Sequence, residues 1–198
     1  MTAVDERPIT RATRAAKTFE DLEVPEGYKA ELLRGDIVMM AGPDRVHNAI
    51  VELVQDQIPR KNWRRMQTQD IAIPGEESEP QPDLVILERV AKIGPGRLIP
   101  AADITMLLEV VSKTSVDRDY GEKRSMYAAG RVPAYLIIDP TEQQCVLLTE
   151  PVGSGEAADY RVERTTKFGD PVPLDLLGVE LDTSEFETLP PVKRHRRP

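Results

Sequence analysis

Two periods alternate along this chain: short apolar runs of strand length, and apolar residues spaced three and four apart as on one face of a helix. Residues 106–111, Met-Leu-Leu-Glu-Val-Val, are of the first kind and are broken by one carboxylate, Glu109. Residues 117–129 take helical spacing, with Gly130 as the stop and Pro133 beyond it. Residues 134–139 return to an apolar run that ends before Pro140. Strand, helix, strand in that order predicts a βαβ unit with a right-handed crossover.

Upstream, residues 28–33 and 36–40 flank Arg34-Gly35 and predict a β-hairpin with glycine in its turn. Val46, Ala49, Ile50, Leu53, Val54 and Ile58 predict an amphipathic helix stopped by Pro59, with His47 in its first turn as a surface or capping residue. Residues 18–22 suggest a capped helical turn, and residues 63–73 a strand closed by Pro74-Gly75. Residues 76–80 suggest an exposed acidic turn, 82–87 a buried strand with Asp83 at its start, and 89–102 a loop. Residues 143–149 and 160–165 read as antiparallel strands around Gly153-Ser154-Gly155, and 171–189 as a turn-rich coda. The expected class is α/β (α+β), a central mixed β-sheet flanked by helices with an N-terminal β-hairpin.

Length allows one domain over residues 18–189, between a loose arm at 1–17 and a basic tail at 190–198 that holds Lys193, Arg194, Arg196 and Arg197. No run is long enough to span a membrane, and charges stand where a signal peptide would have its apolar core, so the expected compartment is the cytoplasm. One cysteine, Cys145, excludes an internal disulfide and a cysteine zinc site, and its apolar surroundings suit core packing. A formal charge of −8 excludes a protein that wraps duplex DNA by net charge alone.

Glu109 inside an apolar run needs a reason, because a buried carboxylate is costly unless paired, hydrogen-bonded or bound to a cation. If the strand beginning at Asp83 neighbours that of Glu109 antiparallel, the two carboxylates converge, which is a Mg²⁺ site in outline. The alternative from the same residues is a turn-capping Asp83 and a Glu109 paired with a Lys or Arg.

Gln81-Pro82-Asp83-Leu84-Val85, Leu108-Glu109-Val110-Val111-Ser112 and Asp119-Tyr120-Gly121-Glu122-Lys123, with Tyr127, Gly130, Val132-Pro133 and Ile138-Asp139-Pro140, resemble the Uma family of the PD-(D/E)XK nuclease superfamily. The likeness extends upstream through residues 31–36 and the helix with His47, and spans roughly residues 28–177. It implies a restriction endonuclease-like core, with Asp83 as the acid of the Pro-Asp motif and Glu109 as that of the next strand. Val111 stands where the superfamily has its lysine, and the resemblance implies that Lys123, on the following helix, takes that role. Tyr120, Lys123 and Tyr127 share a helix face, which directs Lys123 towards the sheet.

The activity so implied is hydrolysis of phosphodiester bonds in nucleic acid, expected to be DNA, by a homodimer with Mg²⁺ or Mn²⁺ as cofactor. Asp83, Glu109 and the backbone carbonyl of Val110 would hold the metal, and Lys123 would orient the attacking water. Glu31 either completes the acid set or is a polar hairpin residue. The rival expectation is a catalytically inactive nuclease-fold module that binds nucleic acid or a protein partner, and a third is a buried Glu109–Lys123 ion pair with no chemistry.

Overall fold

The computed structural model describes residues 11–73 and 75–192; the first ten residues of the arm, Pro74 of the expected turn, and the cations and His195 of the tail lie outside the described residues. Six strands form the central sheet: β3 (Trp63–Met66), β5 (Leu84–Glu88), β7 (Met106–Val110), β8 (Ala134–Asp139), β9 (Gln144–Val152) and β10 (Asp159–Lys167). Their spatial order is β10-β9-β8-β7-β5-β3. Only β7 and β8 run parallel, and the other neighbours are antiparallel, so the sheet is mixed.

The unbroken apolar runs follow from burial on both faces. Leu84, Ile86, Met106, Leu108, Val110, Leu136 and Ile138 pack on one side with Ile50, Val51 and Val54 of helix α2 (Arg45–Gln57). Val85, Leu87, Leu107, Val111, Tyr135 and Ile137 pack on the other with Met126 and Tyr127 of helix α3 (Lys123–Ala129). Side chains alternate across a strand, so Glu109 points with Leu107 to the α3 side, while Asp83 stands in the bend just before β5. Leu84 lies opposite Leu108 in antiparallel register, which sets Asp83 against Glu109 at one end of the sheet.

Strands β1 (Tyr28–Leu33) and β2 (Asp36–Ala41) form the expected hairpin. Arg34 and Gly35 both have positive φ, 47° and 81°, as a two-residue hairpin turn requires. Asp44 caps α2 by accepting the His47 N–H at 3.0 Å.

Several expectations need correction. Helix α1 (Arg11–Glu20) starts within the arm read as loose and aperiodic; Ala12, Ala15, Ala16 and Phe19 in fact recur at three and four residues, a helical period made faint by small alanines among arginine and lysine. The strand of residues 63–73 divides in two, because β4 (Ile71–Ala72) leaves the sheet to pair in parallel with β6 (Ile99–Pro100), inside the segment read as loop. The acidic turn is pinned to the hairpin rather than exposed: Ser78 is buried, accepts the Arg34 N–H at 2.7 Å, and neighbours Glu79, which bridges to Leu32. The helix after β7 opens with a π-helical turn, Arg118–Glu122, and the coda contains the strand pair β11 (Val172–Leu174) and β12 (Val179–Leu181). Among the described residues, no helix is long and apolar enough to cross a membrane.

Candidate active site

A cavity of about 540 Å³ opens at the end of the sheet where Asp83 and Glu109 meet. The hairpin closes one side through Lys29 and Met40, α2 another through His47, and the turn after β7 a third through Ser112 to Ser115.

Lys123 is the centre of the site. Its ammonium donates to Glu109 Oε1 at 2.7 Å and Glu31 Oε1 at 2.9 Å, with Asp119 Oδ1 4.0 Å away. It is only 2% exposed, so the helix face inferred from the spacing does turn it to the sheet, although its partners are mainly Glu31 and Glu109 rather than Asp119. Burial works against its charge, and the surrounding carboxylates overcome that and hold its pKa well above the usual lysine value.

The carboxylates occupy different environments. Glu109, 2% exposed, also accepts the Tyr127 hydroxyl at 2.7 Å. Its burial pushes its pKa up to about 8 despite the lysine, with the charges of Asp83 and Asp119 adding to the rise. Glu31 is fully buried and accepts the Gln81 N–H at 2.9 Å, and Lys123 and Lys29 outweigh its burial and hold its pKa below the usual range. Its second oxygen, Oε2, is buried without a partner. Asp119 accepts the Ser115 hydroxyl and is raised to about 6 by its burial.

Asp83 accepts at Oδ2 from His47 Nε2 at 2.9 Å and from the Val110 N–H at 2.8 Å, and Lys29 Nζ lies 3.7 Å from Oδ1. Burial would raise this carboxyl, but the bond and charge of His47, the charge of Lys29 and the Val110 N–H bring it down to about 2. An ionised carboxylate only accepts, so His47 Nε2 carries the proton of that bond.

The structure thus brings together Asp83, Glu109, Val110, Lys123 and Glu31. It also adds residues that the sequence did not single out for the site: Lys29, Asp119 and Tyr127, together with His47, which is a partner of Asp83 rather than a surface residue.

Among the described residues, no three His, Cys, Asp or Glu side chains form a ready-made metal cage. The donor chemistry nonetheless fits Mg²⁺, which takes one or two carboxylates and completes its shell with water and phosphate oxygens. Four carboxylates, Asp83, Glu109, Glu31 and Asp119, face two ammonium groups, Lys29 and Lys123. Burial raises Glu109 and Asp119, the neighbouring carboxylates add to the rise, and Glu31 Oε2 is buried without a partner, so a cation placed here would meet oxygens that burial disfavours as anions.

Residues 16–184 match the family described as "Uma2: Putative restriction endonuclease". The chain belongs to the Uma2 family. A crystal structure described as a "putative nuclease belonging to DUF820", from Anabaena variabilis ATCC 29413, covers 87% of this chain and 96% of its own with a TM-score of 0.68 at 14% sequence identity. At that identity the likeness establishes a shared fold, with the central mixed sheet and few helices seen here. No curated protein matches the sequence. The Uma2 match spans β1 to β12, including every residue of the site.

Proposed function

We propose that this Uma2 chain is a metal-dependent endonuclease that hydrolyses phosphodiester bonds in DNA, with catalysis resting on Asp83, Glu109, Lys123 and Glu31. The observation that carries the reading is the convergence of Asp83, just before β5, and Glu109, on β7, at a cavity, with Lys123 Nζ 2.7 Å from Glu109. Asp83, Glu109 and the Val110 carbonyl are the donors assigned to Mg²⁺ or Mn²⁺, which when bound polarises a phosphate and lowers the pKa of water.

The chain's own groups do the rest. His47 and the Val110 N–H clamp Asp83 Oδ2, which fixes the carboxylate plane towards the cavity. Glu31, itself held by the Gln81 N–H, anchors the Lys123 ammonium beside Glu109. There Lys123 orients the attacking water and stabilises charge that develops on the phosphate, and it costs little reorganisation because it is already placed. A homodimer, with one such site per strand, is the assembly proposed for duplex cleavage, and the cytoplasm the compartment.

A module that binds without cutting is favoured by one observation: Lys123 is already engaged by two carboxylate oxygens and nearly sealed from solvent. Cleavage of supercoiled, linear and single-stranded DNA, and of RNA, in Mg²⁺ and in Mn²⁺ decides between the two. Metal-dependent cleavage that disappears in Asp83→Ala and Glu109→Ala supports the enzyme. Nucleic-acid binding without cleavage in any metal supports the module. Calorimetry that finds metal affinity unchanged in the double alanine variant removes the ligand assignment.

A further inference from the structure

We propose that the cationic cavity between the C-terminal end of α2 and edge strand β3 binds the phosphodiester backbone of a nucleic acid, outside the cleavage cavity. The inference rests on the reading that this chain acts on nucleic acid, and adds where the substrate is gripped.

In an acidic chain, the segment Arg60-Lys61-Asn62-Trp63-Arg64-Arg65 puts four cations in six positions. Arg60, Arg64, Arg65 and Arg89 line a cavity of about 290 Å³ with no carboxylate in its wall. Elsewhere Arg34, Arg97, Arg124 and Arg161 each pair with Asp or Glu. Among the described residues, the arginines of this cavity form no ion pair within 4.0 Å.

Their roles separate. Arg65 is committed to the fold, because its Nη1 donates to the carbonyls of Gln55 and Ile58 at the end of α2. Burial, with the nearby charge of Arg60, holds its pKa below the usual guanidinium range, although Asp56 acts in the opposite sense. Arg64 Nε is shielded from water and has no acceptor. Arg60 and Arg89 are exposed. A guanidinium fork with free donors matches phosphate oxygens, and several spread along an open strand edge suit a chain of phosphates better than one small anion.

Position ties this surface to the chemistry. Trp63 Nε1 donates to the Leu177 carbonyl at 3.2 Å and anchors β3. Gln55, in the wall of the cationic cavity, accepts from Gln67 at 2.7 Å, and Gln67 and Thr68 line the cavity of Asp83 and Glu109. Strand β3 therefore leads from one cavity to the other, and a single polynucleotide can occupy both.

The test uses the full chain with a chelator to suppress cleavage, and measures anisotropy of labelled duplex DNA, single-stranded DNA and duplex RNA over a salt series. Arg60→Ala/Arg64→Ala/Arg89→Ala should weaken binding at least tenfold and reduce the slope of log K against log salt by about 2–3, near 0.9 for each duplex DNA phosphate that is no longer neutralised. Where that variant fails to fold, the exposed pair Arg60→Glu/Arg89→Glu gives the same reading. The three probes show which polymer is held. Unchanged affinity and slope overturn the proposal, as does a wild type that binds none of the probes. A variant that aggregates or changes oligomeric state at unchanged affinity also overturns it, and makes the cations an edge-strand safeguard. Binding that depends on these arginines in a chain that never cleaves removes the catalytic reading and leaves this one standing.

Discussion

Lys123 carries two demands at once, and each makes its own prediction for its removal. As a preorganised cation, its loss in Lys123→Ala should lower the cleavage rate by a factor on the order of a hundred or more. As the shared partner of Glu31 and Glu109, its loss leaves buried carboxylates uncompensated, so the same variant should also lose stability, by roughly 3–5 kcal/mol. Lys123→Arg should rescue little, because a planar fork does not fit a pocket closed around a compact charge. Rates and melting temperatures read together decide: lost stability with full activity leaves only the ion pair. His47 makes a different prediction. Removing a group that orients a ligand typically costs 10- to 100-fold in metal affinity, so His47→Ala should weaken Mn²⁺ binding on that scale without unfolding the chain. Calorimetric affinity equal to wild type would make the histidine a bystander. Asp83 and Glu109 were legible in the sequence because each sets an acid on an apolar run; Lys123 came from the family resemblance, with which its helix face agreed. His47 and Lys29 offer no such signal, since each lies on an amphipathic element where a polar residue is ordinary, and only the packing of α2 and the hairpin against the sheet end brings them to Asp83.

At the scale of elements, what the sequence showed and what it hid follow the same rule. Strands buried on both faces, β5, β7 and β8, stand out as unbroken apolar runs, and the amphipathic α2 because its burial repeats at the helical period. The pair β4 and β6 does not, because two residues hold no period and their partner is in another segment. That pair is nevertheless how the segments around β4 and β6 meet α3. Gly130, which ends α3, leaves little room for a side chain: a Cβ there would lie 3.1 Å from Ile73 Cγ2 and 3.2 Å from the Ala101 Cβ, so these neighbours would have to give by a few tenths of an ångström. Its φ is ordinary, so the requirement is space and not backbone freedom. Gly130→Ala should therefore overpack this region and cost about 1–3 kcal/mol in urea unfolding. A neutral or stabilising result would mean that the β4–β6 segment yields without strain. Gly130 was read from the sequence as a helix stop, which it is; the close approach that also requires glycine comes from Ile73 and Ala101, which lie far from it along the chain.

For the whole molecule, the burial of the site's carboxylates becomes a dependence of stability on pH. Glu109, at about 8, and Asp119, at about 6, keep protons in the folded chain that they release near pH 4 when unfolded. Between those limits the native state binds more protons than the unfolded one, so the slope of stability with pH is negative, up to about 1.4 kcal/mol per unit for each proton. Asp83, brought down to about 2, and Glu31, also lowered, act in the opposite sense. Their contribution is complete above the ordinary carboxylate range and is lost as pH falls through their folded values, so it does not oppose the trend at higher pH. The metal-free chain should consequently melt several degrees lower at pH 8 than at pH 5. A bound divalent cation favours ionised Glu109, so Mg²⁺ should stabilise more at pH 8 than at pH 5, and binding near neutral pH should release a proton. Melting temperatures at both pH values, with chelator and with Mg²⁺, test the balance directly. A melting temperature in chelator that is flat or rises with pH would show that Lys123 already keeps Glu109 ionised, and that the site needs no further cation to hold its charge.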